Sequence, residues 1–366
     1  MNIVSLFCGC GGLDLGLKKA GHKIIWANDF DKDSIKTYIE NIAEIDEEVI
    51  CKSILDIPSE SIPDCDLVIG GFPCQGFSVA NPYRNEKDKR NFLYEELLRI
   101  VHDKNPKYFL GENVQGITNL GGYETVDDRK NKLGKIFKMI LNDFHKIGYN
   151  IEWKILNAAD YGIPQLRKRM VMVGVRKDID LKFKFPSITH APREKKGNAQ
   201  LKLNLKKIKL KTYKTVDEVI GDLPLEYSDK IPNHHGTKHK VKINGYLGNR
   251  HTDPNKPSPT IVGRGGGTGG PVILPHPSQK RRMTIREVAR IQTFPDDFIF
   301  YGSNSSQYRQ IGNAVPVELG YILGKQLEKI EKQRKEMNKI RNFNLIHSPT
   351  NNPYRYPPIS FPVSRN

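Results

Sequence analysis

The chain has 366 residues, 37% hydrophobic and 27% charged, a balance that excludes whole-chain disorder and leaves room for two domains. Lys and Arg number 58 against 41 Asp and Glu, a formal charge of +17, which favours polyanions as partners, nucleic acid first and an anionic membrane surface second. No apolar run approaches the roughly 20 residues that cross a bilayer, and the opening MNIVSLFCGCGG lacks the basic start and cleavage site of a secretory signal.

Residues 3–7 read as a buried strand, followed by a glycine cluster and a helical pattern at Leu13, Leu15, Leu17 and Ala20. A second strand is expected at 23–27, a helix at 31–43, and a third short strand before Asp56. Apolar strands follow at 66–70, 107–110 and 169–175. Strands parted by helix-sized spacers predict a parallel sheet with crossover helices. From 178 to 280 Lys, Asn, Gly and Pro dominate, and 193–214 carries nine Lys/Arg against the single acid Glu194, so a separate irregular domain is expected. Within it the run GRGGGTGG at 263–270 must be loop or tight turns. A helix resumes at 284–293, closed by Phe294-Pro295, and a last helix spans 317–339. The end, 345–366, is rich in Pro, Asn and Ser and reads as disordered.

The five cysteines, Cys8, Cys10, Cys51, Cys65 and Cys74, all precede residue 75, which argues against a disulfide framework and for a reducing compartment. Cys8-x-Cys10 has no zinc-knuckle spacing and no answering pair, so no metal site is expected.

Strand, then Phe7-x-Gly9-x-Gly11-Gly12, then a helix opening at Leu13 is a turn where backbone can approach a ligand. At the end of the second strand Asp29 suits ribose hydroxyls, and Phe30 suits stacking on adenine. Asp56 lies where it can meet the adenine amino group. The spacing G-x-G-G departs from the dinucleotide fingerprint, so no pyrophosphate is called for. S-adenosylmethionine, with an adenosine and an amino acid but no phosphate, fits.

Strand 66–70 leads into Gly71-Phe72-Pro73-Cys74-Gln75-Gly76, which sets a thiol at the C-terminal edge of the sheet, where open α/β folds place their sites. A free thiol is a strong nucleophile even when little of it is ionised, whereas the usual fate of a cytosolic cysteine is a small buried hydrophobe. Glu112, after the next strand, would share that edge and can protonate a ring nitrogen if burial raises its pKa. In Gln165-x-Arg167-x-Arg169 two guanidinium groups on one strand face would grip a phosphate or a base carbonyl, unless they merely face solvent. His234, His235 and His239 have no partner acid or thiol pattern and read as a solvated or DNA-facing segment.

Six ordered segments then carry a resemblance: FCGCGG at 7–12, GGFPCQGFS at 70–78, GENV at 111–114, QLRKRMVMVG at 165–174, RRMTIREVARIQTFPDDF at 281–298 and QIGNAVPVELG at 310–320. Over residues 1–325 the chain resembles the bacterial DNA (cytosine-5)-methyltransferases, most closely the small enzymes of restriction–modification systems. The resemblance implies a Rossmann-like α/β methyltransferase domain, with a mixed, mostly parallel sheet and helices on both faces, plus a smaller target-recognition domain. It implies a catalytic and cofactor-binding domain at 1–177, target recognition at 178–280, a return to the catalytic domain at 281–330, and a basic tail at 331–366. Cys74 would be the nucleophile, Glu112 the carboxyl at the flipped base, Arg169 a ligand of the base carbonyl, and Arg167 a support of the same pocket. Phe7, Gly9, Gly11, Gly12, Leu13, Asp29, Phe30, Asp56, Ile57, Pro73 and Leu93 would line the S-adenosylmethionine site, with Asn313, Ala314 and Val315 completing it. Gln75, Ser78, Arg84, Thr260, Arg264, Gly265 and Gly266 would meet DNA, and helix 282–296 with Arg286, Glu287 and Arg290 would orient the small domain.

Asp29 and Phe30 stand where many members have glutamate and tryptophan, both chemically conservative changes. The expected partners are duplex DNA and a cognate restriction endonuclease, with the protein a cytoplasmic monomer on DNA, using no metal and no membrane. The rival readings are an RNA (tRNA) cytosine methyltransferase, favoured less because of the large basic domain, and a non-catalytic DNA-binding regulator, against which the Cys74, Glu112 and Arg169 set speaks. A nicotinamide oxidoreductase would lack the phosphate-binding glycine spacing.

Overall fold

The computed structural model describes residues 1–72, 93–193, 210–244, 249–263 and 272–346, with side chains to 341. The expected site residues Pro73, Cys74, Gln75, Ser78, Arg84, Arg264, Gly265 and Gly266 lie outside the described residues.

The first half alternates strand and helix: β1 (Asn2–Leu6), α1 (Gly12–Lys19), β2 (Lys23–Asp29), α2 (Lys32–Asn41), β3 (Glu48–Cys51) and β4 (Leu67–Gly70). Then come α3 (Leu93–Lys104), β5 (Tyr108–Val114), α4 (Val126–Asn131), α5 (Lys135–Lys146), β6 (Tyr149–Asn157) and β7 (Lys168–Arg176). The seven strands form one sheet in the order β3-β2-β1-β4-β5-β7-β6. β7 runs antiparallel to both β5 and β6, and the remaining neighbours are parallel. The mixed, mostly parallel sheet expected from sequence is therefore present.

Successive strand residues feed opposite layers, because side chains alternate across a sheet. Ile3 packs into one core with Leu13, Leu17 and Ile24, while Val4 and Leu6 pack into the other with Trp26, Val68 and Phe109. Strands covered on both faces read as continuous apolar runs, which is why β1, β4 and β7 were legible. β6 was not read as a strand. It is an edge strand, mostly half-buried, and Asn150, Glu152 and Lys154 interrupt its apolar character. β5 reaches Val114 rather than ending at 110, held by seven register pairs with β7, so Glu112 sits inside the strand.

Between β7 and the C-terminal helices lie the two-residue parallel ladder of β8 (His190–Ala191) and β9 (Lys211–Thr212) and the short α6 (Asp217–Ile220). Irregular backbone dominates the rest of the described part of 178–280. Three helices close the chain: α7 (Ile285–Ile291), α8 (Asn304–Asn313) and α9 (Val317–Ile346). The last runs beyond the expected 339 and takes in residues 345–346 of the expected disordered tail.

α9 returns to pack on α1. A Cβ on Gly16 would lie 2.3 Å from the Val317 carbonyl oxygen, and one on Gly320 would lie 2.7 Å from that of Leu13. Small residues on both helices thus permit backbone contact, and Leu319, Leu323 and Leu327 of α9 are buried in the same core as Leu13 and Leu17. α7 opens with a capping box between Thr284 and Glu287. Arg286 is wholly buried and donates to the carbonyls of Pro232, Pro295 and Phe298. His234 departs from the expected solvated segment. It is fully buried, with Nε2 2.8 Å from the Pro224 carbonyl oxygen and Nδ1 3.2 Å from Thr284 Oγ1, whereas His239 is exposed.

Candidate active site

The C-terminal ends of β1, β2, β4 and β5 share one sheet edge, at the point where strand order reverses between β1 and β4. Because β7 is reversed, its first residues join that edge: Arg169 pairs with Val114.

After β1 the chain turns sharply, with Phe7 at φ 55° and Gly9 at φ 55°. Among the described residues no atom lies within 4 Å of a Cβ built on Gly9. The Gly9 N–H donates to Asp29 Oδ2 at 2.9 Å, and the Asp31 N–H donates to Oδ1 at 2.9 Å. Asp29 therefore anchors the glycine turn, a role its sequence position did not announce, and each oxygen keeps a lone pair for a further donor. Burial pushes its carboxyl pKa up, against these two amide bonds. Phe30 is 68% exposed on the same rim, Asp56 is exposed, and Ile57 is buried behind it. On the other side a Cβ on Gly12 would meet the Val315 carbonyl oxygen at 2.3 Å, so the 313–315 turn closes directly on the glycine turn. A glycine turn with room beside Gly9, a carboxylate and an exposed aromatic ring together fit S-adenosylmethionine.

The second half of the edge is built by β4, β5 and β7. Gly70 pairs with Gly111, which brings Glu112 beside the chain leaving β4. Its Oε2 lies 3.3 Å from a Cβ built on Gly71, three residues before Cys74. The Asn113 side-chain amide donates to the Phe72 carbonyl at 3.0 Å, fixing the backbone two residues before Cys74. Glu112 Oε1 receives Arg169 Nε at 3.0 Å, both side chains being about nine-tenths buried. They are diagonal neighbours across the β5–β7 ladder. Burial pushes the Glu112 carboxyl up, opposed by the charges of Arg169 and Arg167, and burial lowers both guanidinium pKa values.

Arg167 precedes β7 rather than sharing a strand face with Arg169. It is 1% exposed, and its terminal nitrogens donate to the carbonyls of Ile261, Gly312 and Ala314. Its Nε has no acceptor among the described residues. Gln165 lies beside it, with Oε1 accepting from the Ile261 N–H at 3.0 Å and Nε2 donating to Gln292 Oε1 at 2.8 Å. Gln292 in turn donates to the carbonyls of Ile311 and Ala314. Thr260 Oγ1 donates to the Leu166 carbonyl and borders a groove of about 480 Å³ that includes Arg250, His251, Asp253 and Lys256. Leu93 opens α3, beyond the undescribed 73–92 stretch.

The sequence reading thus named Glu112, Arg169 and the two sides of the glycine turn, which the fold brings to one edge. It missed Asn113, Gln165 and Gln292. All three sit inside the quoted segments, yet what they do, binding backbone of remote segments, leaves no local signal. Among the described residues no group of three or more His, Cys, Asp or Glu could hold a metal ion, and no helix is long and apolar enough to cross a membrane.

Residues 1–329 match the family described as C-5 cytosine-specific DNA methylase. The chain is 36% identical over 338 residues to the Type II methyltransferase M.NgoFVII of Neisseria gonorrhoeae, covering 86% of this chain and 83% of that protein. It is also 36% identical over 358 residues to the Type II methyltransferase M.MthTI of Methanothermobacter thermautotrophicus, covering 90% and 97%. The crystal structure of the S. pombe Dnmt2 methyltransferase superposes with a TM-score of 0.59 at 20% identity, covering 90% of this chain and 99% of that one, a likeness of fold.

Proposed function

The chain belongs to the C-5 cytosine-specific DNA methylase family, and on that premise we propose that Cys74, Glu112 and Arg169 form its reaction centre on a cytosine turned out of duplex DNA. The reaction is S-adenosylmethionine-dependent methylation of cytosine C5 in DNA. The observation that carries the assignment is the buried Glu112–Arg169 pair set against Gly71 and Phe72, immediately before Cys74 in the chain.

Cytosine C5 is a poor nucleophile, and a base inside a duplex is out of reach of a side chain, so the target must be extruded. The Cys74 thiolate adds to C6, and the displaced electron pair moves toward C5. Glu112, whose burial favours the protonated form, shares a proton with N3 and stabilises the adduct. Arg169 orients Glu112 through its Nε and has a second face for the base carbonyl. When bound, S-adenosylmethionine would supply a methyl group activated by its sulfonium charge, which passes to C5 as the methyl–sulfur bond breaks and S-adenosylhomocysteine is left. Gly9, Asp29, Phe30, Asp56 and the 313–315 turn hold it, with Gly12 and Leu13 behind. A base then takes the C5 proton, and the C6–S bond breaks to return the thiolate.

The close likeness to Type II methyltransferases supports a place beside a restriction endonuclease, whose sites this methylation would protect. The test is bisulfite sequencing of DNA from cells expressing the chain. One short sequence is expected to carry 5-methylcytosine throughout, and none should in cells expressing Cys74→Ser. Full methylation by Cys74→Ser would refute the assignment.

A further inference from the structure

Gln165, Arg167 and Gln292 are 0%, 1% and 0% exposed, and together they close a polar network that no part of the reaction described above uses. One end grips Ile261 twice, its N–H by Gln165 and its carbonyl by Arg167. The other end grips Ala314 twice, its carbonyl receiving from both Arg167 and Gln292. The Gln165–Gln292 bond joins the halves, and Gly312 and Ile311 add two further carbonyls.

Each end lies at a different working surface. Ile261 follows Thr260 at the basic groove and belongs to the segment pinned to 164–166 by Ser258 and Leu166. Ala314 belongs to the turn that closes on the glycine turn. We infer that this network is a positioning device that ties occupancy of the cofactor site to the order of segment 258–263, and through it to the groove that Thr260 borders. The inference rests on the cofactor site assigned above.

The physical reason is that the bonds joining the two ends are buried. Shifting Ala314 without Ile261 would leave buried donors and acceptors without their partners, which is costly for every bond broken. The two ends therefore move together. Coupling of this kind is reciprocal, so a DNA contact that fixes Ile261 also fixes the pocket wall.

Hydrogen–deuterium exchange of the full chain with and without S-adenosylhomocysteine tests this. The product is expected to slow exchange in peptides covering 7–12 and 311–315, and also in 258–263, by at least about 5-fold, the lower end of ordinary coupling factors. In Gln165→Met, which removes the grip on the Ile261 N–H and the bond to Gln292 but leaves the Arg167 link, the first two responses should persist while that of 258–263 weakens. Arg167→Lys, which retains the charge but loses the guanidinium fork that spans Ile261 and Ala314, should weaken it likewise if Gln165→Met does not fold. Slowing at 7–12 and 311–315 with no change at 258–263 in the unsubstituted protein would overturn the inference and leave the cofactor site standing. No slowing anywhere would overturn both.

Discussion

Glu112 shows how one residue can be named from sequence for a sound reason and still surprise in its setting. Its place near the strand end and its partnership with Cys74 were legible, but its salt bridge to Arg169 depends on β5 running four residues further than its apolar core. Glu112→Gln keeps the shape and removes the titrating group. Methylation by that variant should fall by roughly 10²- to 10⁴-fold, the usual contribution of a positioned acid, with S-adenosylhomocysteine binding retained. A methyl-transfer assay paired with calorimetry measures both, and near-normal turnover would remove Glu112 from the mechanism. Asp14 was not singled out at all, because its neighbours come from other elements. The Tyr38 hydroxyl stands 2.7 Å from Glu47 and 3.2 Å from Asp14, with one proton for both. Burial, aided by the Glu47 charge, pushes the Asp14 carboxyl from 3.8 to about 7. A raised carboxyl contributes stability that is fully present below its unfolded pKa and lost as pH rises through the folded one. Asp14→Asn should therefore gain on the unsubstituted protein as pH climbs from 4 to 8, by about 4 kcal/mol at most for a shift of this size. Urea melts at several pH values would show it, and a constant difference would contradict it.

Elements were legible where both faces of a strand are covered and obscure where one is not. β1, β4 and β7 are largely apolar, whereas β6 at the sheet edge alternates with polar residues and α8 is built mostly of Ser, Asn, Gln and Arg. α8 holds its place through contacts that no local pattern reports, such as Gln310 donating to the Tyr301 carbonyl and Tyr308 to that of Met283. The seam between α1 and α9 was equally hidden, since Gly16 and Gly320 lie in stretches whose pattern gives no sign of a helix contact. Gly16→Ala would set a methyl group against the Val317 carbonyl and Tyr321 nitrogen. Overpacking of this kind costs about 1–3 kcal/mol. Thermal melts should register the loss, and an unchanged Tm would mean the helices can part without penalty.

At the scale of the molecule, the charge of +17 pointed to nucleic acid before any motif did. The six ordered segments then brought together parts of the chain that only the three-dimensional path explains, with the C-terminal helices returning to the first helix and to the glycine turn. The irregular middle of the chain stayed opaque. Its backbone is held by side chains such as Arg167, Arg281 and Arg286 rather than by periodic burial. Affinity for duplex DNA should fall steeply with salt, by about 0.9 decade per decade of salt for each phosphate neutralised. A filter-binding titration across salt concentrations gives that slope, and a flat line would show that the positive charge does not face DNA.

The central claim is a covalent bond between one sulfur and one carbon. A duplex carrying 5-fluorocytosine at the methylated position found by bisulfite sequencing cannot lose its C5 substituent, so the enzyme should stall as an adduct. Digestion and mass spectrometry are expected to find the oligonucleotide on the peptide containing Cys74. Its absence there, from a preparation that methylates the ordinary duplex, would contradict the mechanism.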